Sequence, residues 1–187
     1  MPDSPSKRRR LRSRALLTAL AVACLVGLAG AVAPQAPSAA ATPVAGARAA
    51  ASSFAGAVVA GINAQRRRNG LRPLRASAQL AAAAANHARS MEQAGYFGHS
   101  SQDGTSASAR IRRFYPGSAV GEAMLWRSPG ITAAEVVRTW LSSPAHRAIL
   151  LHPRFREVGI ATARASRAAG VFGVGPATIV VADFGAR

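Results

Sequence analysis

Apolar side chains recur every four residues from Phe54, through Val58 to Ile62, with Ala55 and Val59 beside them. That spacing lines one helical face, and it predicts a helix beginning near Ser53, running to Asn69 and stopped by Gly70. Leu71-Arg72-Pro73-Leu74 follows as a connecting loop. A second stripe of Leu80, Ala84, His87 and Met91 predicts a helix from Ser77 to Gly95, to which the Ala81–Ala85 run adds propensity. Residues 96–104 have no period and are rich in polar turn formers, so they form a loop that presents His99. Ser106 to Tyr115 predicts a short helix with Ile111 and Phe114 inward. After Pro116-Gly117 the period becomes two, and Ser118–Trp126 reads as a strand with Val120, Glu122, Met124 and Trp126 on one face.

Helical spacing returns over Thr132 to Leu141, whose buried side carries Val136, Val137, Trp140 and Leu141. Ser143 as N-cap and Pro144 at the first position then open another short helix, which Pro153 ends. His146 sits in its first turn, where the positive end of the helix dipole disfavours an imidazolium, so a neutral ring is expected near pH 7. Two further runs, Glu157–Arg164 and Thr178–Gly185, are rich in Val, Ile and Ala and predict strands joined loosely through Gly170–Pro176.

Upstream the pattern is of another kind. Lys7, Arg8, Arg9, Arg10, Arg12 and Arg14 precede an uncharged apolar run from Ala15 to Ala33, the layout of a secretory signal; retained, the run is long enough to anchor the chain in a membrane. Residues 1–41 are therefore expected to be a signal peptide or anchor, 42–52 an Ala/Pro-rich linker, and 53–187 the folded domain. The domain is expected outside the cell or at the envelope, without a membrane span once the signal is cleaved. Cys24, the only cysteine, lies in the apolar run, so the domain has neither disulfides nor thiol chemistry. After Ala41 stand eighteen arginines and six acids, about +12. Such a charge draws an anionic cell-wall polymer or a lipid headgroup without specifying nucleic acid, and attraction of this kind weakens with salt. Lysine is absent after Lys7, so compositional bias, with arginine filling solvated positions, is the preferred account over a dedicated polyanion site.

Three side chains stand out chemically. Glu122 is a carboxylate on an otherwise apolar strand face, and an isolated buried charge costs several kcal/mol, so it requires a partner or a cleft. His99 sits on a loop and His146 at a helix start, both places where a ring is presented rather than packed. His87 lies on an apolar stripe and reads as a core residue. Glu135 forms a Thr132-x-x-Glu135 capping box, a complete structural role.

Ile62-Asn63-Ala-Gln-Arg66, Asn69-Gly70-Leu71-Arg-Pro73-Leu74, Gly95-Tyr-Phe-Gly-His99-Ser100, Gly121-Glu122, Trp140-Leu-Ser-Ser-Pro-Ala-His146-Arg147, Phe155-Arg-Glu-Val-Gly159 and Asp183-Phe-Gly185 occur in this order. Together they resemble the CAP superfamily of cysteine-rich secretory, antigen 5 and pathogenesis-related proteins, in its bacterial secreted branch. The resemblance implies an α+β fold, an α/β/α sandwich with a central, mostly antiparallel sheet. It further implies a cleft where His99, Glu122 and His146 converge and hold zinc or another divalent cation, with Glu135 as a weaker candidate for the family's second acid. Ala123 stands where the family usually has Asn.

The first functional expectation is a secreted binding module at the cell envelope. The alternatives are a metal-dependent hydrolase with Glu122 as general base, and a lipid-binding module by analogy with eukaryotic relatives. Ser100 and Ser101 sit in no nucleophile-elbow signature.

Overall fold

The computed structural model describes residues 43–165, 170–173 and 175–187; the predicted leader with Cys24 lies outside them. The elements are α1 (Pro43–Arg68), β1 (Arg75–Ala76), α2 (Ala78–Ala94), α3 (Ala107–Arg112), β2 (Ala119–Arg127), α4 (Ala133–Ser142), α5 (Pro144–Leu150), β3 (Glu157–Ala165) and β4 (Ala177–Ala186), with a 3-10 turn at Gly170–Phe172. The sheet order is β1-β3-β4-β2; β2 and β3 both run antiparallel to the central β4, and only the two-residue β1 is parallel to its neighbour.

Alternation along the strands sorts two cores. Ala123, Leu125, Val158, Ile160, Val180, Ala182 and Phe184 face α1, α4 and α5, meeting Val58, Ile62, Val136, Trp140 and Leu150. The opposite face turns Met124, Ala163, Ile179 and Val181 towards α2, where Ala84, Ala88 and Met91 cover them. Leu80, Ile111 and Tyr115 extend that side over Val120. The result is the expected three-layer α/β/α sandwich. Gly159 is where α2 crosses β3, since a Cβ there would lie 1.9 Å from the Ala81 nitrogen. Nothing larger than hydrogen fits at that crossing.

The caps explain the boundaries of α2. The Ser77 side chain accepts from the Leu80 N–H, and Gly95 closes the helix in the left-handed region at φ 66°, its N–H donating to the Met91 carbonyl. Helix α1 departs from expectation, because it starts at Pro43 rather than near Ser53 and takes in the segment expected to be a linker. Its first turns carry no apolar stripe, but Ala-rich sequence behind a first-position proline needs none to be helical. The short helix α3 also ends earlier than expected, with Tyr115 rather than Phe114 fully buried beyond it.

Candidate functional site

The site forms where the loop after α2 folds back over β2. His99 Nδ1 lies 2.8 Å from Glu122 Oε1, and Arg110 Nη2 lies 2.5 Å from Glu122 Oε2. Arg110 also donates from Nη1 to the His99 carbonyl at 2.9 Å and to Ser101 Oγ at 3.4 Å. One guanidinium on α3 thus ties the His99 loop to the strand carboxylate. The Glu122 and Arg110 side chains are only 1% and 4% exposed, whereas that of His99 is 57% exposed. A carboxylate accepts, so the Nδ1–H donates to it, and Nε2 has no hydrogen-bond partner among the described residues.

Electrostatics follow from this arrangement. The hydrogen bond to Glu122 raises the His99 pKa against the opposing effect of burial. Burial pushes the Glu122 carboxyl up, but the His99 hydrogen bond and the Arg110 charge outweigh it, so it ends below its ordinary value. His146, half-buried on the first turn of α5, has its pKa lowered by burial and then by the His99 charge. A neutral His146 was the expectation; burial is the larger cause. Ser143 occupies the N-cap of α5 without a side-chain hydrogen bond.

Both Glu122 oxygens are engaged, one by His99 and one by Arg110. Among the described residues no three His, Cys, Asp or Glu side chains are grouped to hold an ion. A divalent cation held by His99, His146 and Glu122 is what the family resemblance implies. Glu135 is separate from this cluster: its carboxylate accepts from the Thr132 N–H and Oγ1 at 2.8 and 2.7 Å, completing the capping box.

Sequence reasoning missed Arg110 and Asp183. Asp183 on β4 is directly opposite Glu122 in register, so both side chains project to the α2 face, and Asp183 is fully buried. His87 on α2 completes the group, bonding the Gly98 carbonyl through Nε2 at 2.9 Å. Its pKa is lowered by burial, against the raising effect of the Glu122 charge. Four atoms here lack a hydrogen-bond partner among the described residues: His87 Nδ1, Arg110 Nε and both Asp183 oxygens. The signal for Asp183 was available, since it is a lone acid in the apolar run Thr178–Gly185. For Arg110 only the requirement of Glu122 for a partner pointed the way.

The model of the cysteine-rich secretory protein family (CAP) matches residues 59–184. The chain belongs to the CAP family. Within it, this CAP domain is 30% identical over 101 residues to the uncharacterized protein YkwD of Bacillus subtilis (strain 168), covering 52% of this chain and 38% of that protein. Its fold is shared with an extracellular SCP-domain protein of Bacillus anthracis str. Ames (TM-score 0.59, 22% identity, 73% of this chain, 41% of that one). It is shared also with an outer surface protein of Borrelia burgdorferi (TM-score 0.57, 23% identity, 70% of this chain, 90% of that one). The chain spans about two fifths of the length of YkwD and of the B. anthracis protein. Despite the family's name, the described residues of this CAP domain contain no cysteine.

Proposed function

We propose that the chain is an exported CAP domain that acts as a binding module at the cell envelope, with its ligand site in the cleft between His99 and His146. The observation that supports this reading is the buried Arg110–Glu122 pair, which fixes one nitrogen of His99 and leaves the other without a hydrogen-bond partner among the described residues. Holding a ring in one orientation lowers the entropic cost of using it as a ligand contact. Export is supported by the basic-then-apolar leader and by relatives named as an extracellular protein and an outer surface protein. No described helix is long and apolar enough to cross a membrane.

Calorimetric titration with zinc at pH 7.5 and 5.5, beside His99→Ala and His146→Ala, tests the cleft. Two imidazoles predict weak binding that disappears in either variant and at the lower pH, where both rings compete with protons. Binding indifferent to both substitutions would remove the cleft from the reading. Peptidoglycan and peptide substrates incubated with the same protein should stay intact. Turnover that vanishes in Glu122→Gln would replace the binding module with a hydrolase.

A further inference from the structure

The strongest feature outside the cleft is centred on Arg66. This side chain is fully buried, yet no carboxylate faces it. Its guanidinium instead donates to four carbonyls, those of Arg72 (2.9 Å), Leu150 (2.8 Å), His152 (3.1 Å) and Phe155 (3.2 Å). One planar group thereby gathers the turn after α1 and the chain leaving α5 around a single point. Three arginines lie in or beside these segments: Arg72, Arg147 and Arg154 are exposed and make no side-chain hydrogen bond or ion pair among the described residues. Arg156 folds onto the Pro153 and Phe155 carbonyls beside them.

Three of the domain's six acids are committed to partners of their own. Glu122 holds Arg110, Glu135 holds Thr132, and Glu157 holds Tyr115, Arg75 and Arg187. Arg147 and His152 line a concavity of about 380 Å³ with Pro144, Ala148, Leu151 and Pro153. His152 Nδ1 accepts from the Arg154 N–H at 3.3 Å, so Nε2 carries the proton and is a further donor for an anion.

We propose that this face docks a linear phosphate-bearing polymer without bases, laid across the Arg72, Arg147 and Arg154 guanidiniums. Guanidinium forks match phosphate oxygens, and unpaired charges gathered on one face bind a chain of anions by releasing its counterions. The concavity beside Arg147 suits a chain entering it better than a flat bilayer pressed against it. Base stacking has little to use here, because Phe155 is buried and the half-buried His152 ring lies against it at 4.7 Å between centroids. The site is independent of the His99–His146 cleft and stands or falls separately.

The test measures binding of the full chain to long-chain inorganic polyphosphate over a salt series from about 50 to about 200 mM, where such contacts change most visibly. The triple variant Arg72→Gln/Arg147→Gln/Arg154→Gln should bind about tenfold or more weakly at the low end. Its slope of log K against log salt should flatten by about 2–3, from roughly 0.7–0.9 per lost contact. A charge-matched control, Arg89→Gln/Arg112→Gln/Arg164→Gln, removes three exposed arginines from other elements and should stay close to the parent. None of the six side chains makes a described contact, so folding is retained; single Arg72→Gln and Arg154→Gln variants repeat the comparison with less perturbation. Equal losses in both triples, or no binding at all, overturn the proposal in favour of dispersed charge. Tighter binding to anionic phospholipid vesicles or to an oligonucleotide, with the same arginine dependence, overturns the choice of polymer.

Discussion

At the level of single residues, Glu122 and Asp183 show how neighbouring carboxyls take opposite states. Glu122 has a guanidinium and an imidazole within hydrogen-bond reach and is held ionised. Asp183, on the next strand, has neither, and burial followed by the Glu122 charge pushes its carboxyl well above the ordinary range. A folded-state pKa above the unfolded value of about 3.9 means that folding favours the protonated acid. That contribution is complete below about pH 3.9 and is lost as pH rises through the folded value. Asp183→Asn keeps the shape and removes the ionisation. It should therefore be neutral at pH 4 and stabilising at pH 8, by about 1–4 kcal/mol, the range for replacing unfavourable buried charge. Urea unfolding at the two pH values measures it; a variant less stable than the parent at pH 8 would mean that Asp183 is ionised and paired.

At the level of elements, the position of His146 depends on how α5 is held. Its seven residues are too few for a helix to persist alone, and the Ser143 cap makes no side-chain bond. The far end is secured instead by Arg66, whose bonds to the Leu150 and His152 carbonyls place a cation at the negative end of the helix. Arg66→Met retains much of the apolar stem but strands four carbonyl acceptors. A loss of about 3–4 kcal/mol in urea unfolding is expected, with an unchanged m-value. Arg66→Lys should recover only part of it, because an ammonium cannot reproduce the fork. A loss below about 1 kcal/mol in Arg66→Met would mean that water serves those carbonyls as well.

At the level of the whole molecule, what could be read from the chain was what hydrophobic spacing and caps encode. The stripe Leu80, Ala84, His87 and Met91 and the alternation Val120, Glu122, Met124 and Trp126 gave α2 and β2 with their correct faces, because each is set by local burial. Glu122 and His99 could be read as a pair only through the resemblance; their contact spans 23 positions and depends on how a loop without a period folds back. Arg110 stayed hidden for the same reason, since its role comes from helix docking; Asp183 stands out locally as a lone acid in an apolar run, but its place opposite Glu122 comes from strand register. The start of α1 was misplaced because alanine-rich sequence is helical without an apolar stripe. This difference makes a measurable distinction between helix and packing. The apolar positions described as packing begin with Phe54 and Ala55, half-buried against the core, and Val58, which is fully buried. A chain begun at Ser53 should therefore match one begun at Pro43 in thermal unfolding. A chain begun at Val59, where the family match starts, loses Phe54 and Val58 and should be about 3–5 kcal/mol less stable, from roughly 1.5–3 kcal/mol per large apolar side chain. If beginning at Ser53 already costs that much, the first ten residues of α1 hold the domain together as well as extending its helix.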